Sequence, residues 1–357
     1  MGQTQQKTVV KENGVHAVGI NAHGDIGQVA PLELPEPVCN EGDVIVAVKA
    51  AALNHLDIWM RKGRAGADLP MPHVLGSDAA GVVVEVGAGV SGWNVGDEII
   101  VNPGLSCNQC DYCLRGEQSE CAQFSIVGMG RPGTFAEKVA VPGLNLQAKP
   151  SHLTWTEAAA LPLAYITAWR MLMNRAALRS GETVLIHGIG GGVALAALQL
   201  ASMTGARIIV TSSKVDKLAR AAEYGAHHGV QYGSARMVEE IMSYTEGRGV
   251  DVVIDAVGAA TWPVNVEVCR KGGRIVHCGV TTGPHVEANI STLYWKQLTI
   301  MGSTMGSRED FRALLAAVSS SGLKPVIDSE YPLASAREAQ ARMEAGEQFG
   351  KIVLTMD

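Results

Sequence analysis

Two textures of apolar and polar residues divide the chain near residue 153. Before that point the apolar runs are short, β-like and punctuated by glycine and proline, as at 44–48, 81–86 and 98–101. Val82-Val83-Val84-Glu85-Val86 runs into Gly87-Ala88-Gly89-Val90, which reads as a strand leaving through a turn. Beyond residue 153 helical and strand patterns alternate. Helices are predicted over 154–161, 167–177, 193–204 and 213–224, and apolar strands over 183–187, 207–211, 252–255, 274–278 and 298–302. Alternation of this kind predicts a parallel, doubly wound sheet. A further helix near 308–318 and a strand at Lys351–Thr355 follow, and this tail is expected to return to the first domain. The fold class is therefore α/β: a β domain over 1–153, a dinucleotide-type domain over 154–304, and a returning tail over 305–357.

Composition narrows the partners. A length of 357 residues suits two domains with a cleft between them, and 47% apolar with 18% charged residues is a globular composition. The formal net charge is -6 and there is no Lys/Arg cluster, which argues against nucleic acid and anionic membranes and for a small-molecule ligand. The first residues carry neither a basic segment nor an apolar run, and the most apolar stretch, 193–203, is too short to span a bilayer. The expected location is the cytoplasm.

Four of the seven cysteines, Cys107, Cys110, Cys113 and Cys121, follow the spacing C-x2-C-x2-C-x7-C. Such gaps let one loop arrange four thiolates around a tetrahedral ion with no position open to substrate, so the expected site is a structural zinc. An iron–sulfur cluster uses the same donors, and disulfides are the plainer alternative. Zinc is preferred because no other redox signal surrounds the loop.

A second motif closes the first strand of the alternating region. There Gly188-Ile189-Gly190-Gly191-Gly192-Val193 separates a predicted strand from a predicted helix. Glycines at such a turn let the backbone approach a pyrophosphate, whose charge is favoured at the helix N-terminus. About 20 residues on, an NAD site would carry a carboxylate for the ribose 2'-hydroxyl. This chain instead reads Thr211-Ser212-Ser213-Lys214, with Lys217 close behind. Hydroxyls and lysines without a carboxylate favour a 2'-phosphate, hence NADPH. Ser212 and Ser213 are also suited to capping the next helix.

These motifs, with Gly76-Ser77-Asp78-Ala79-Ala80-Gly81, Asp251-Val252-Val253-Ile254-Asp255 and Gly272-Gly273-Arg274, resemble the medium-chain dehydrogenase/reductase superfamily over nearly the whole chain. The resemblance implies a GroES-like β domain beside a Rossmann domain. It also implies a break with the zinc alcohol dehydrogenases, whose catalytic ligand positions read here as Asn54, Ser77 and Leu163, and whose proton-relaying hydroxyl is Leu56. Asn54 is similar to the Asn of zinc-independent quinone reductases, and Lys217 and Tyr232 fall where those enzymes hold the 2'-phosphate. The same resemblance places His55 near the pyrophosphate and Thr167 near the nicotinamide. Asp78 is expected as a buried acceptor or proton-transfer group, and Tyr165 is an outside candidate for proton donor.

The activity so implied is NADPH-dependent reduction of an enone, an enoyl compound or a quinone, with Asn54, His55 and Asp78 at the reacting centre. Rival readings are an alcohol dehydrogenase with an atypical metal site on His55 and Asp78, and a non-enzymatic NADPH-binding protein. Trp59, Met60, Trp295 and Met305 are candidates for an apolar substrate pocket, and a homodimer or homotetramer is expected.

Overall fold

Strands buried on both faces organise the dinucleotide half. In the computed structural model, which describes residues 14–63, 69–234 and 236–356, every residue of Thr183–Ile186 and Val250–Asp255 is buried. This is the pattern of a sheet covered by helices on both sides. Six parallel strands lie side by side in the order His228–Gln231, Arg207–Ser212, Thr183–Ile186, Val250–Asp255, Cys269–His277, Thr299–Gly302. The sequence order is thus 3-2-1-4-5-6, and the reversal beside the first strand opens a crevice at the strand C-termini.

The other large sheet is antiparallel around Asp43–Ala52, which pairs with Asp78–Val86, with Lys138–Pro142 and with Lys351–Thr355. Lys351–Thr355 pairs in parallel with Ile327–Pro332, so the tail supplies two strands to this sheet. The tail does not go there as one piece. Its helix Arg308–Ser321 turns Phe311, Leu314, Leu315 and Val318 into the core shared with Pro162–Trp169, because those residues recur at helical spacing on one face.

Two differences from the pattern reading have local causes. The helix expected at 167–177 begins earlier, as Pro162–Trp169, since Pro162 can stand at a helix start where no N–H is needed. It then widens into a π-helical turn, Arg170–Arg175, in which Ala176 N donates to Met171 O at 2.9 Å. The antiparallel pair Val15–Ile20 and Val29–Leu34 is absent from the pattern reading because Gly19 and Pro31 interrupt it. Among the described residues no helix is long and apolar enough to cross a membrane.

Candidate active site

The two halves meet at a cleft of about 1190 Å³. That exceeds the roughly 300–1,000 Å³ usual for one small ligand and leaves room for a dinucleotide with a substrate. Its walls include Asn54, His55, Thr167, Gly188, Gly191, Gly192, Val193, Ser212, Ser213, Lys217, Tyr232 and Lys351.

At the β-domain end, Asn54 precedes the short helix His55–Arg61 and is buried. Its backbone N–H donates to Asp57 Oδ2 at 2.8 Å, and Gly76 N donates to Asp57 Oδ1 at 3.1 Å. Burial pushes the Asp57 carboxyl up to about 7, against the opposing pull of those two N–H groups and of Lys351. The Asn54 side chain faces elsewhere: Nδ2 donates to Asp78 Oδ2 at 2.9 Å, and Oδ1 accepts from Lys351 Nζ at 2.6 Å. Lys351 Nζ also donates to Leu53 O at 2.7 Å and to Asp78 Oδ2 at 3.0 Å. Leu163 N donates to Asp78 Oδ1 at 2.8 Å, so this carboxylate is fully buried and fully engaged.

Strand register explains the lysine. Leu53 N donates to Ile352 O at 3.0 Å, which sets Lys351 beside the end of Asp43–Ala52. Gly192 has no Cβ, and one built there would lie 3.0 Å from Lys351 Cδ, so the glycine makes room for the stem.

An ammonium thus holds the only side-chain oxygens that Asn54 and Asp78 offer toward this point. Ser77 and Leu163 add neither thiolate nor imidazole, so the donor set does not suit a catalytic zinc. Among the described residues, the convergent group of three or more metal-type side chains is Cys107, Cys110, Cys113 and Cys121, whose sulfurs all lie within 4.8 Å of one another. Tetrahedral zinc–thiolate geometry needs S–S separations of about 3.8 Å. Cys107 Sγ lies 3.9 Å from Cys113 Sγ and 3.5 Å from Cys121 Sγ, so the lobe fits a four-thiolate ion. Hydrogen bonds from the backbone N–H groups of Gln109 and Cys110 hold the Cys107 thiol down, to about 6.

At the other end, Gly188 (φ 75°) and Gly190 (φ 110°) take a backbone region closed to most side chains, and the helix Gly192–Ser202 follows with Gly191 as its cap residue. Helix and loop are therefore arranged as a pyrophosphate cradle. Lys217 is buried beneath this loop and donates to Gly346 O at 2.9 Å and Gln348 O at 2.6 Å. Burial and the neighbouring Lys214 lower its pKa. Ser213 is exposed beside it, whereas Ser212 Oγ accepts from Lys214 N at 3.2 Å. Neither serine caps the next helix by its side chain; the cap residue is Lys214. Tyr232 lies 5.9 Å from His187, ring to ring and nearly parallel. The hydroxyl of Tyr232 and Oε1 of Gln348 are buried without a hydrogen-bond partner among the described residues, in the cleft wall where a cofactor's polar groups would meet them.

His187 is a site residue that the pattern reading does not contain. Asn265 Nδ2 donates to Asp255 Oδ2 at 2.5 Å, so Asn265 Oδ1 faces His187 Nε2 at 2.6 Å and must accept from it. Nδ1 of His187 then accepts from Thr211 Oγ1 at 2.9 Å. Burial lowers the His187 pKa, and the neutral ring becomes part of a fixed polar floor. The available signal was a histidine between an apolar strand and a glycine loop, together with Asp255 at a strand end. Lys351 was legible only as a charge opening an otherwise apolar strand.

The remaining candidates separate clearly. His55 opens into the cleft, with its pKa lowered by burial among the cleft walls and by Lys351. Thr167 lines the cleft, but its hydroxyl donates to Leu163 O at 2.6 Å. Tyr165 is not a proton donor to the site: its buried hydroxyl donates to Gln199 Oε1 at 2.5 Å, away from the cleft. Trp59, Met60 and Met305 line the cleft with Leu56, Phe124 and Ile126. Trp295 does not; it is 69% exposed on the outer helix Ile290–Lys296. Cys278 reaches the cleft wall, but burial and Asp255 push its thiol up to about 12, too high for a nucleophile.

A glycine loop opening a helix beside a largely apolar cleft suits a dinucleotide-dependent oxidoreductase. Residues 40–151 match the alcohol dehydrogenase GroES-like domain family, and residues 192–320 match the zinc-binding dehydrogenase family. A crystal structure described as an NAD-dependent alcohol dehydrogenase superposes with a TM-score of 0.92 at 42% identity, covering 96% of this chain and 100% of that one. Crotonyl-CoA carboxylase/reductase of Cereibacter sphaeroides is 31% identical over 94% of this chain and 85% of its own length. Human quinone oxidoreductase is 27% identical over 91% of this chain and 92% of its own. The chain belongs to the medium-chain dehydrogenase/reductase superfamily.

Proposed function

We propose that the chain reduces an α,β-unsaturated carbonyl compound or a quinone with NADPH and without a catalytic metal. The observation that carries this reading is that Asn54, at one of the positions where zinc alcohol dehydrogenases bind their catalytic ion, is instead hydrogen-bonded to Asp78 and Lys351, which also bond each other. Without a Lewis acid, the alkoxide from a simple ketone loses several kcal/mol of charge stabilisation. A conjugated acceptor needs less. As hydride adds to its β-carbon, the π electrons shift to the carbonyl oxygen, and the delocalised enolate is met by hydrogen-bond donors alone. A solvent proton then completes the saturated product. NADPH, when bound, supplies the hydride; Gly188, Gly190, Gly191, Gly192 and Val193 form its cradle, and Thr167 lies at the nicotinamide end. Asn54 donates to the substrate oxygen, Asp78 holds Asn54, and His55, uncharged at neutral pH, faces the pyrophosphate. Ser213, Lys217 and Tyr232 receive the 2'-phosphate, Ser212 shapes their turn, and the four cysteines hold one structural zinc. The returning tail completes the β domain of residues 1–153, and two copies of the chain form the working unit.

The test is NADPH oxidation across quinones, enones, enoyl thioesters and aldehydes, with zinc content measured in parallel. One zinc per chain and turnover of conjugated acceptors are expected. Asn54→Ala should lower kcat about 100-fold, in the range for loss of one oxyanion donor, with the Kd for NADPH unchanged. Lys217→Met should weaken NADPH about tenfold and NADH little, as loss of one charge-assisted hydrogen bond implies. Two zinc ions per chain with turnover of alcohols would overturn the reading.

A further inference from the structure

We propose that Lys351 is a positioning residue, which acts through Asn54 by locking its carboxamide as a donor aimed at the substrate oxygen. The inference rests on the preceding functional reading.

Two partners fix the amide without ambiguity. An ammonium can only donate, so the Asn54 atom 2.6 Å from Lys351 Nζ must be Oδ1. An ionised carboxylate can only accept, so the Asn54 atom 2.9 Å from Asp78 Oδ2 must be Nδ2. Of the two N–H bonds on Nδ2, one is taken by Asp78. The other has no partner among the described residues, and Asn54 lines the cleft.

Lys351 cannot play the donor itself. Its three N–H bonds go to Leu53 O, Asn54 Oδ1 and Asp78 Oδ2, which satisfies the ammonium completely. A cation held on Oδ1 draws electron density from the amide, and this makes the free N–H a stronger donor. Without it the carboxamide keeps only its bond to Asp78, and its carbonyl end is free to swing so that the remaining N–H no longer points at the developing negative charge. The lysine thus completes a two-point clamp, with Asp78 setting which end of the amide is the donor and Lys351 holding its direction. Its worth is the difference between an aimed and a misaimed donor to the same oxygen.

A double-mutant cycle tests the coupling. Lys351→Met in the otherwise native chain should lower kcat by about 100-fold, close to the loss from Asn54→Ala. In the Asn54→Ala background the same change should cost less than about threefold, because its target is gone. NADPH affinity is followed by fluorescence titration, and folding by thermal melts. Lys351→Arg keeps the charge that Asp78 requires and guards against a misfolded methionine variant; its planar fork cannot reproduce three convergent bonds, so kcat should fall by an intermediate amount.

The outcomes are distinguishable. Additive losses, or a folded Lys351→Arg enzyme with native kcat, overturn the positioning role and leave the proposed activity standing. Absence of turnover with every conjugated acceptor, or an Asn54→Ala enzyme with native kcat, sinks the functional reading itself.

Discussion

Asp57 sits beside Asn54, where burial competes with two backbone donors and with the charge of Lys351. Its folded-state value of about 7 stands above the ordinary 3.8, so between those limits the folded chain holds a proton that the unfolded chain has released. Stability from this group is therefore present at low pH and is lost as pH rises through about 7. The difference is worth up to about 4 kcal/mol at roughly 1.4 kcal/mol per pH unit, with Asp78 opposing and Lys351 favouring ionisation. Asp57→Asn should flatten the fall in melting temperature between pH 5 and pH 7.5 relative to the native chain. Equal slopes in both proteins would show that burial does not govern the carboxyl.

At this scale the sequence was informative wherever a residue type is unusual for its place. Asn54, Ser77 and Leu163 stood out as poor metal donors, and the cysteine spacing announced its own geometry. What could not be read was who faces whom across the fold. Lys351 lies 297 residues from Asn54, and no local pattern encodes that meeting. Tyr165 misled for the same reason, since its hydroxyl is consumed by Gln199 on a neighbouring helix.

Among the elements, the π-helical turn Arg170–Arg175 has the largest consequence for the cleft. It presents Arg170, which is 4% exposed, to Asp310 at 3.0 Å, Glu117 at 2.7 Å and Glu120 at 3.2 Å. One guanidinium thus ties the cysteine lobe to the helix Arg308–Ser321. The lobe's neighbours Phe124, Ile126 and Met129 line the cleft, so an ion in the lobe would support that wall. Arg170→Met leaves the buried Asp310 carboxylate without its cation and should cost about 3–5 kcal/mol. The melting temperature should drop, and KM for the acceptor should rise more than KM for NADPH. A variant with native stability would mean that Asn174 and the Ser307 N–H, which also serve Asp310, carry the anion alone.

Periodicity located five of the six strands of the parallel sheet and the last strand because each holds an apolar run, and it missed the short, mixed strand His228–Gln231. It missed elements of mixed polarity, such as the helix Met237–Tyr244 and the strand Ile327–Pro332, whose burial depends on neighbours far along the chain.

For the whole molecule, the parallel sheet ends in an unfinished edge. Thr299–Gly302 pairs on one side with Cys269–His277, and among the described residues no strand covers the other side. Beside it Ile290, Tyr294, Trp295 and Ile300 are exposed. An open apolar edge is an aggregation hazard unless a partner covers it, and a second copy related by a two-fold axis offers a self-complementary one. Light scattering should therefore give twice the chain mass, and Trp295→Lys with Ile300→Lys should give the monomer. A native chain that scatters as a monomer at micromolar concentration would rule this pairing out.

The register that brings Lys351 to Asn54 also orders events in time. A contact spanning nearly the full length of the polypeptide closes late, because the entropy of so large a loop must be overcome by everything folded between its ends. The intervening nucleotide domain is thereby a scaffold whose completion precedes competence: a refolding chain regains its spectroscopic helix and sheet first and its turnover last.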